Sequence, residues 1–534
     1  MMRAIDLYGG IGGWALGLRM AGIETLCSFD YSGCANETLR NNFAIKTHNV
    51  NIRELDYDLL PKRVDVVVGS PPCTQFSFAN RGGKGDLEDG LVDIRKFLKV
   101  VEYLKPKYWA MENVPRVAKI IEHELKDGRS LSKYVGLFRN IVVVDCSEYG
   151  LPQKRKRMIA GSLPFSLFEE YKGILPQLTL GNVISSLKAR RIKDCVYPKI
   201  TIDRKLLTDN DYEMPLTEEE IRINREAKTY HTIYNKMSFP DKLNEPSRTV
   251  TALCTRISRE SIVIKNGTNK YRRLSIRERE MLQGFPVTFQ LYGSYIERIK
   301  MAGNAIPPLL TYLLGCSMMG VKVNKVGLDK HCKYNHRIPK QLPDKQKIVY
   351  KPNKFSINRN FRFALPNLRF GSGVRFEMVN TFANDSVNWR IDFYFGNSKN
   401  ILNLKLDNIL YQKAVSVLSK KTSFKLVFKK MREIKSVSAS ELQSVWNHSS
   451  EEGKHPFNLL DELGTLAQQI YDTLITNAKI VSRIQHFVAN ELMDNLNSKT
   501  YTLSSASKMK YIDNAVWIYT GLIIGSLFNQ AFST

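Results

Sequence analysis

The chain has 534 residues, 43% of them hydrophobic and 25% charged, enough for three or four domains and too apolar for disorder throughout. Lys and Arg outnumber Asp and Glu by 79 to 52, a net charge of +27, which fits a polyphosphate partner such as nucleic acid or a merely soluble basic surface. No run of about 18 uncharged apolar residues, no leader-like opening and no paired framework among the eight cysteines argue against a membrane span, secretion or a disulfide scaffold, so a reduced cytoplasmic setting is expected.

Residues 1–161 alternate short β-rich runs with helical stretches. Ala4–Leu7, Leu26–Phe29, Val64–Gly69, Tyr108–Met111, Ile141–Val144 and Met158–Ala160 read as strands, and Ile94–Tyr103 as an amphipathic helix. That alternation predicts an α/β parallel sheet with helices on both faces. Residues 162–271 lose the rhythm and contain an acidic helix, Glu218–Lys228. Residues 272–320 turn helical again. Residues 321–354 read as a basic, Pro-containing linker, and residues 355–534 as an α+β extension, strands first and then helices. Its last apolar stretch, Ala515–Phe528, reads as a buried helix. The charge is uneven: residues 321–450 carry 25 basic and 8 acidic groups, net +17, against net +12 for residues 1–320 and −2 for 451–534.

Four segments carry chemistry. Asp6-Leu7-Tyr8-Gly9-Gly10-Ile11-Gly12-Gly13 is a strand, a glycine turn and a helix start, with Asp30 closing the next strand. It suits a dinucleotide site, a methyl-donor site or a bare tight turn. Ser70-Pro71-Pro72-Cys73 follows a strand and delivers a thiol at its C-terminal end, as a nucleophile or as a structural cysteine. Glu112-Asn113 ends the next strand on the same sheet edge, where a half-buried carboxylic acid can donate to a ring nitrogen or a carboxylate can start a helix. In Gln153-Lys154-Arg155-Lys156-Arg157 the two arginines alternate, so in an extended segment they point the same way and can hold one anion or carbonyl together.

In order, DLYGGIGG, PPCTQFS, MENVP, YGLPQKRKR, RRLSIREREMLQGFP and AGNAIPP resemble the six blocks of the C5-cytosine DNA methyltransferase family, across residues 4–308. The resemblance implies a Rossmann-like, S-adenosyl-L-methionine-dependent methyltransferase domain. Residues 1–161 and 272–320 would form it, with a small target-recognition region at 162–271. It implies that a cytosine flips out of double-stranded DNA. Cys73 would then add to C6, Glu112 would bind the amino group and protonate N3, and Arg155 and Arg157 would hold the base carbonyl and a phosphate.

It further implies cofactor contacts from Asp6, Tyr8, Gly10, Gly12, Asp30, Asn51, Ile52, Pro72, Asn304 and Ala305, and DNA contacts from Gln75, Ser77, Asn113, Gln153, Arg248, Thr249 and Thr251. Asn113 would also orient the loop around Glu112. Family members commonly have glutamate at Asp30, aspartate at Asn51 and phenylalanine at Tyr8. The implied setting is a bacterial restriction–modification system, with a monomeric enzyme and an endonuclease that reads the same site without binding it stably. A transfer-RNA substrate, a non-catalytic DNA binder and a nicotinamide oxidoreductase are the competing readings. The extension matches no known family and is expected to grip DNA. Asp392 and Lys405-Leu406-Asp407 do not make a convincing nuclease element, and His331, Cys332 and His336 lack a second cysteine pair for zinc, so no metal is expected.

Overall fold

The computed structural model describes residues 1–76, 85–229, 237–348, 355–370, 374–383, 386–395, 402–404, 429–434, 436–448, 456–492, 509 and 511–532. Two compact units divide the chain: Met1–Leu216 with Phe239–Tyr350, and Thr217–Ser238 with Lys351–Thr534.

The first unit is built on a seven-stranded sheet of β1 (Arg3–Leu7), β2 (Glu24–Asp30), β3 (Lys46–Asn49), β4 (Val66–Gly69), β5 (Tyr108–Asn113), β6 (Asn140–Asp145) and β7 (Lys156–Ser162). Their spatial order is β3-β2-β1-β4-β5-β7-β6. β4 reads Val-Val-Val-Gly and is buried along its whole length, as a strand covered on both faces should be. Alternation assigns the two faces: Ala4, Val66 and Val68 join one apolar cluster, while Ile5, Leu7 and Val67 join another. The sheet is not all parallel, contrary to the expectation, because β7 runs antiparallel to both β5 and β6.

Helix α1 (Gly13–Ala21) follows β1, α2 (Gly33–Phe43) follows β2, α3 (Leu87–Leu104) follows β4, and α4 (Arg116–Glu124) follows β5. Strand order reverses between β1 and β4, so the loops after them part there and open a crevice at the C-terminal edge of the sheet.

Two assignments from sequence need correcting. Residues 321–348 are no linker. Val321 and Val326 are buried in the core of the first unit, with Cys332, Tyr334 and Ile338 packed against it. Tyr312 Oη donates to the Gly327 carbonyl at 3.0 Å, Arg298 Nη2 to the Asp344 carbonyl at 2.8 Å, and Lys333 N to the Met20 carbonyl at 2.8 Å. The segment is a strap that belongs to the core of the first unit.

The acidic helix, Glu218–Thr229, lies within the recognition stretch in sequence but is part of the second unit. Arg222 forms a bidentate pair with Asp461 at 2.7 and 2.9 Å, Arg369 pairs with Glu226 at 2.6 Å, and Arg359 pairs with Glu219. Ile223 packs against that unit's core.

The second unit otherwise consists of an antiparallel sheet of Arg362–Phe370, Val374–Ala383, Ser386–Phe395 and Leu402–Leu404 in chain order, with helices Ala439–Asn447, Phe457–Ile475, Ala478–Phe487 and Ala515–Phe532. The last is long and apolar enough to cross a membrane, but 78% of it is buried inside the unit. The Asn529 side chain bonds both the N–H and the carbonyl of Ile391 on the sheet. Asp392 is tied up locally by Arg390 at 2.7 Å, and residues 405–407 lie outside the described residues. Among the described residues no group of three or more His, Cys, Asp or Glu could hold a metal ion.

Candidate active site

The crevice holds a cavity of about 410 Å³ that runs from the glycine loop after β1 to the cysteine loop after β4. Each wall has a local cause. Gly12 caps α1 with φ of 87°, a left-handed conformation that glycine adopts at no cost. A side chain on Gly13 would run into the Ile306 carbonyl, so the bare backbone lets the loop before Pro307 close over the helix start. Trp14 Nε1 donates to Ser70 Oγ at 3.2 Å, joining α1 to the cysteine loop. Pro71 is fixed in turn, because Asn113 Nδ2 donates to its carbonyl at 3.1 Å.

Cys73, Glu112 and Arg157 all line this cavity. β4 and β5 are parallel, so Cys73 and Glu112 emerge at the same edge. The reversed β7 begins where its neighbours end, which brings Arg157 beside them: Arg157 Nε lies 2.7 Å from Glu112 Oε1, with both side chains nearly buried. Burial, then the charge of Glu112, pushes the Cys73 thiol above its ordinary value, and Arg157 and Arg155 pull the other way. The Cys73 side chain is therefore held as a thiol at rest.

Of the residues expected to contact a cofactor, Tyr8, Gly10, Asp30, Pro72, Asn304 and Ala305 line the cavity. Asp30 accepts from Gly10 N at 2.9 Å and from Ser32 N at 2.8 Å, which fixes its carboxylate at the loop. Burial raises its pKa. Asp6 is not a lining residue. It is wholly buried beneath the loop, and burial with the nearby Asp30 charge holds its carboxyl well above the usual range. Gly12, Asn51 and Ile52 also stand off the cavity wall. Gly12 shapes the turn, Asn51 caps the Ile52–Glu54 turn by accepting from Arg53 N at 3.1 Å, and Ile52 is buried in the core.

The expected DNA contacts fare unevenly. Gln153 is fully buried. Its amide donates to the Leu282 carbonyl at 3.0 Å and accepts from Val250 N at 2.8 Å. Arg155 is a brace as well: its guanidinium donates to the carbonyls of Val250, Gly303 and Ala305 at 3.0, 3.0 and 3.1 Å. Arg248 is bound bidentately by Asp241 at 2.6 and 3.0 Å and donates to the Ser261 carbonyl. None of these three has the free guanidinium or amide edge that base reading needs.

Gln75 and Asn113 brace loops, Gln75 through Asp89 at 3.0 Å. Thr249 and Thr251 are half-buried, and their hydroxyls donate to the Lys154 and Leu253 carbonyls. Ser77 lies outside the described residues.

Sequence reasoning missed several lining residues: Tyr31, Ser32, Cys34, Glu297, Lys300 and Met301. Helical spacing carried a signal for three of them, because 297, 300 and 301 precede Asn304 by seven, four and three positions in the helix Tyr295–Asn304.

A Rossmann-like sheet whose switch-point crevice pairs a bare glycine loop with a half-buried thiol, a glutamate and an arginine marks the first unit as an α/β methyltransferase domain. The chain belongs to the C-5 cytosine-specific DNA methylase family, whose model matches residues 2–319, and it is a DNA cytosine methyltransferase. Type II methyltransferase M.FnuDI of Fusobacterium nucleatum is 28% identical to it over 340 residues, covering 59% of this chain and 93% of that protein. Type II methyltransferase M.HgiDI of Herpetosiphon aurantiacus is 29% identical over 330 residues, covering 59% and 94%. Among solved structures, the methyltransferase EhMeth of Entamoeba histolytica matches 60% of this chain and 98% of its own, with 15% identity and a TM-score of 0.41. Residues 320–534 lie beyond the family match.

Proposed function

We propose that the enzyme methylates C5 of a specific cytosine in double-stranded DNA, with S-adenosyl-L-methionine as donor, through a transient bond between Cys73 Sγ and C6 of a base flipped out of the helix. The observation that carries this reading is the convergence of Cys73 and the Glu112–Arg157 pair at one end of a cavity whose other end is a glycine loop.

The residues present suit the donor. Asp30 offers a carboxylate for ribose hydroxyls, exposed Tyr31 an aromatic face, and the start of α1 a set of backbone amides for a carboxylate. When bound, S-adenosyl-L-methionine supplies an electrophilic methyl group on a positively charged sulfur.

Cytosine is a poor nucleophile at C5, and addition at C6 activates it. The Cys73 thiol gives up its proton, which the Glu112 carboxylate takes, and its sulfur bonds C6. The C5–C6 π pair moves into the ring as Glu112 donates a proton to N3. Arg157, held 2.7 Å from Glu112, orients that carboxyl and faces the ring carbonyl. C5 takes the methyl group, its own proton leaves to solvent, the C6–S bond breaks, and the sulfur departs as thiolate. Glu112 recovers its proton from N3.

The extension grips DNA through phosphate contacts in this reading, on the strength of the net +11 of residues 351–450, the part of the basic stretch that lies outside the strap. The similarity to Type II methyltransferases supports a modification role against an endonuclease that reads the same site, with a monomer acting on cytoplasmic DNA.

Methyl transfer from labelled donor to duplex DNA and to transfer RNA, followed by bisulfite sequencing, tests the substrate and reads the site. Cys73→Ser should abolish turnover and leave DNA binding measurable. Normal methylation by that variant, or transfer to RNA alone, overturns the proposal. Deleting residues 351–534 together with 217–238 should flatten the salt dependence of DNA affinity, and an unchanged slope refutes the grip.

A further inference from the structure

We infer that Arg53 is a positioning residue that joins the cofactor side of the cavity to the loop carrying the nucleophile. The inference rests on Cys73 as that nucleophile. Arg53 lies within the turn capped by Asn51 and reaches onto the first turns of α3. Its Nη1 lies 2.6 Å from Asp89 Oδ1, its Nη2 2.7 Å from Asp93 Oδ2, and its Nε 3.0 Å from Asp93 Oδ1. Nη2 also donates to the Asp89 carbonyl at 3.0 Å. One planar guanidinium thus fixes two carboxylates one helical turn apart, a task for which its fork is suited and a lysine is not.

The two carboxylates lead in different directions. Asp93 accepts from Tyr8 Oη at 3.1 Å. Tyr8 sits in the glycine loop with φ of 55°, a left-handed conformation uncommon for a tyrosine, and it lines the cavity. Asp89 accepts from Gln75 Nε2 at 3.0 Å through its other oxygen. Gln75 Oε1 accepts from Asp86 N at 3.0 Å, and Asp86 caps α3. Gln75 stands two residues after Cys73, in a turn closed by Phe76 N donating to the Cys73 carbonyl at 3.0 Å. Phe76 is almost wholly buried in the same core as α3.

A continuous path of hydrogen bonds therefore runs from the loop that faces the donor, through Arg53 and two aspartates, to the turn that aims the thiol. A molecule that presses on Tyr8 biases Asp93 and Arg53, and through Asp89 the seating of Gln75. Donor occupancy and thiol placement become linked, and linkage acts in both directions.

The test uses the full chain and a duplex carrying 5-fluorocytosine at the target position read by bisulfite sequencing. Two quantities are measured: the single-turnover rate of covalent capture at Cys73 with saturating S-adenosyl-L-methionine, and the affinity for that donor with and without the duplex. Arg53→Met and Gln75→Ala should each slow capture about tenfold, the size of one lost charge-assisted contact. The double variant should be no slower than the slower single one, because both cut the same path. Any tightening of donor binding by DNA should vanish in Arg53→Met, and Arg53→Lys should fall between it and the wild type.

Should Arg53→Met fail to fold, Tyr8→Phe, which removes one hydroxyl, is measured in its place and should slow capture in the same non-additive way with Gln75→Ala. Effects that multiply, or a donor–DNA linkage untouched in Arg53→Met, overturn the inference. A wild-type enzyme that never captures the fluorinated base overturns the Cys73 reading instead, so the two failures are distinct.

Discussion

Arg155 and Arg157 are two residues apart, yet substitution should separate their effects. Arg155→Met keeps most of the side-chain volume and removes every donor. The carbonyls of Val250, Gly303 and Ala305 then lose partners at 3.0, 3.0 and 3.1 Å. Hydrogen bonds from a charged group are worth about 1.5–3 kcal/mol each, and a buried carbonyl left unpaired costs about 1–3. Against that stands the relief of a buried cation, whose desolvation already depresses this guanidinium to about 9. A net loss of about 3 kcal/mol is expected, which for a unit of this size lowers the melting temperature by about 4 °C. Calorimetry measures that fall, and single-turnover methylation well below the new melting point should keep most of the wild-type rate. Arg157→Met should cut methylation about 100-fold or more even well below its own melting point, because its Nε partner is Glu112 at the cavity wall. An Arg155→Met enzyme that melts with the wild type but cannot methylate would refute the brace and return Arg155 to the base.

Glu112→Gln removes the charge that, after burial, does most to raise the Cys73 thiol, so iodoacetamide should alkylate Cys73 faster than in the wild type at neutral pH, while methylation drops about 100-fold. In the wild type the attacking form is the thiolate and its pKa is raised, so kcat/KM should climb with pH through neutrality and still be climbing near pH 9; a plateau below pH 8 contradicts the burial argument. Gly13→Val places a branched side chain against the Ile306 carbonyl and should abolish donor binding, read by calorimetry. Glu226→Arg breaks the nearly buried pair with Arg369 and should cost the second unit about 3 kcal/mol, with Arg369→Glu in the same chain restoring much of the loss.

The strands that carry the site were legible because burial on both faces writes them as apolar runs: β1, β4 and β5 fall within two residues of the expected spans. β3, Lys46-Thr47-His48-Asn49, is a polar edge strand with no such run. The reversal of β7 left no mark at all, since direction is set by connections and not by side chains. The strap at 321–348 was hidden for a different reason. Much of its attachment is through its own carbonyls, at Gly327 and Asp344 among others, and backbone acceptors are invisible to residue patterns. The helix Glu218–Thr229 was placed correctly along the chain, but its partners Arg359, Arg369 and Asp461 lie 140, 143 and 239 residues from the residues they pair with.

The same logic explains why the sequence placed Cys73 and Glu112 at one cavity but did not reveal the depth of Arg155 and Gln153. Alternation put Arg155 and Arg157 on one side of an extended segment, and both do line the cavity. Alternation says nothing of depth. Arg157 meets the exposed end of β5, whereas Arg155 meets three carbonyls delivered by chain some 95–150 residues further on. Gln153 does the same one step earlier, binding Val250 N and the Leu282 carbonyl. Two polar residues beside β7 thus anchor the segment at Val250 and the cavity loop at Gly303 and Ala305. Neither segment can shift without disturbing the strand that positions Arg157, so under the proposed mechanism a movement of either reaches the side chain paired with Glu112.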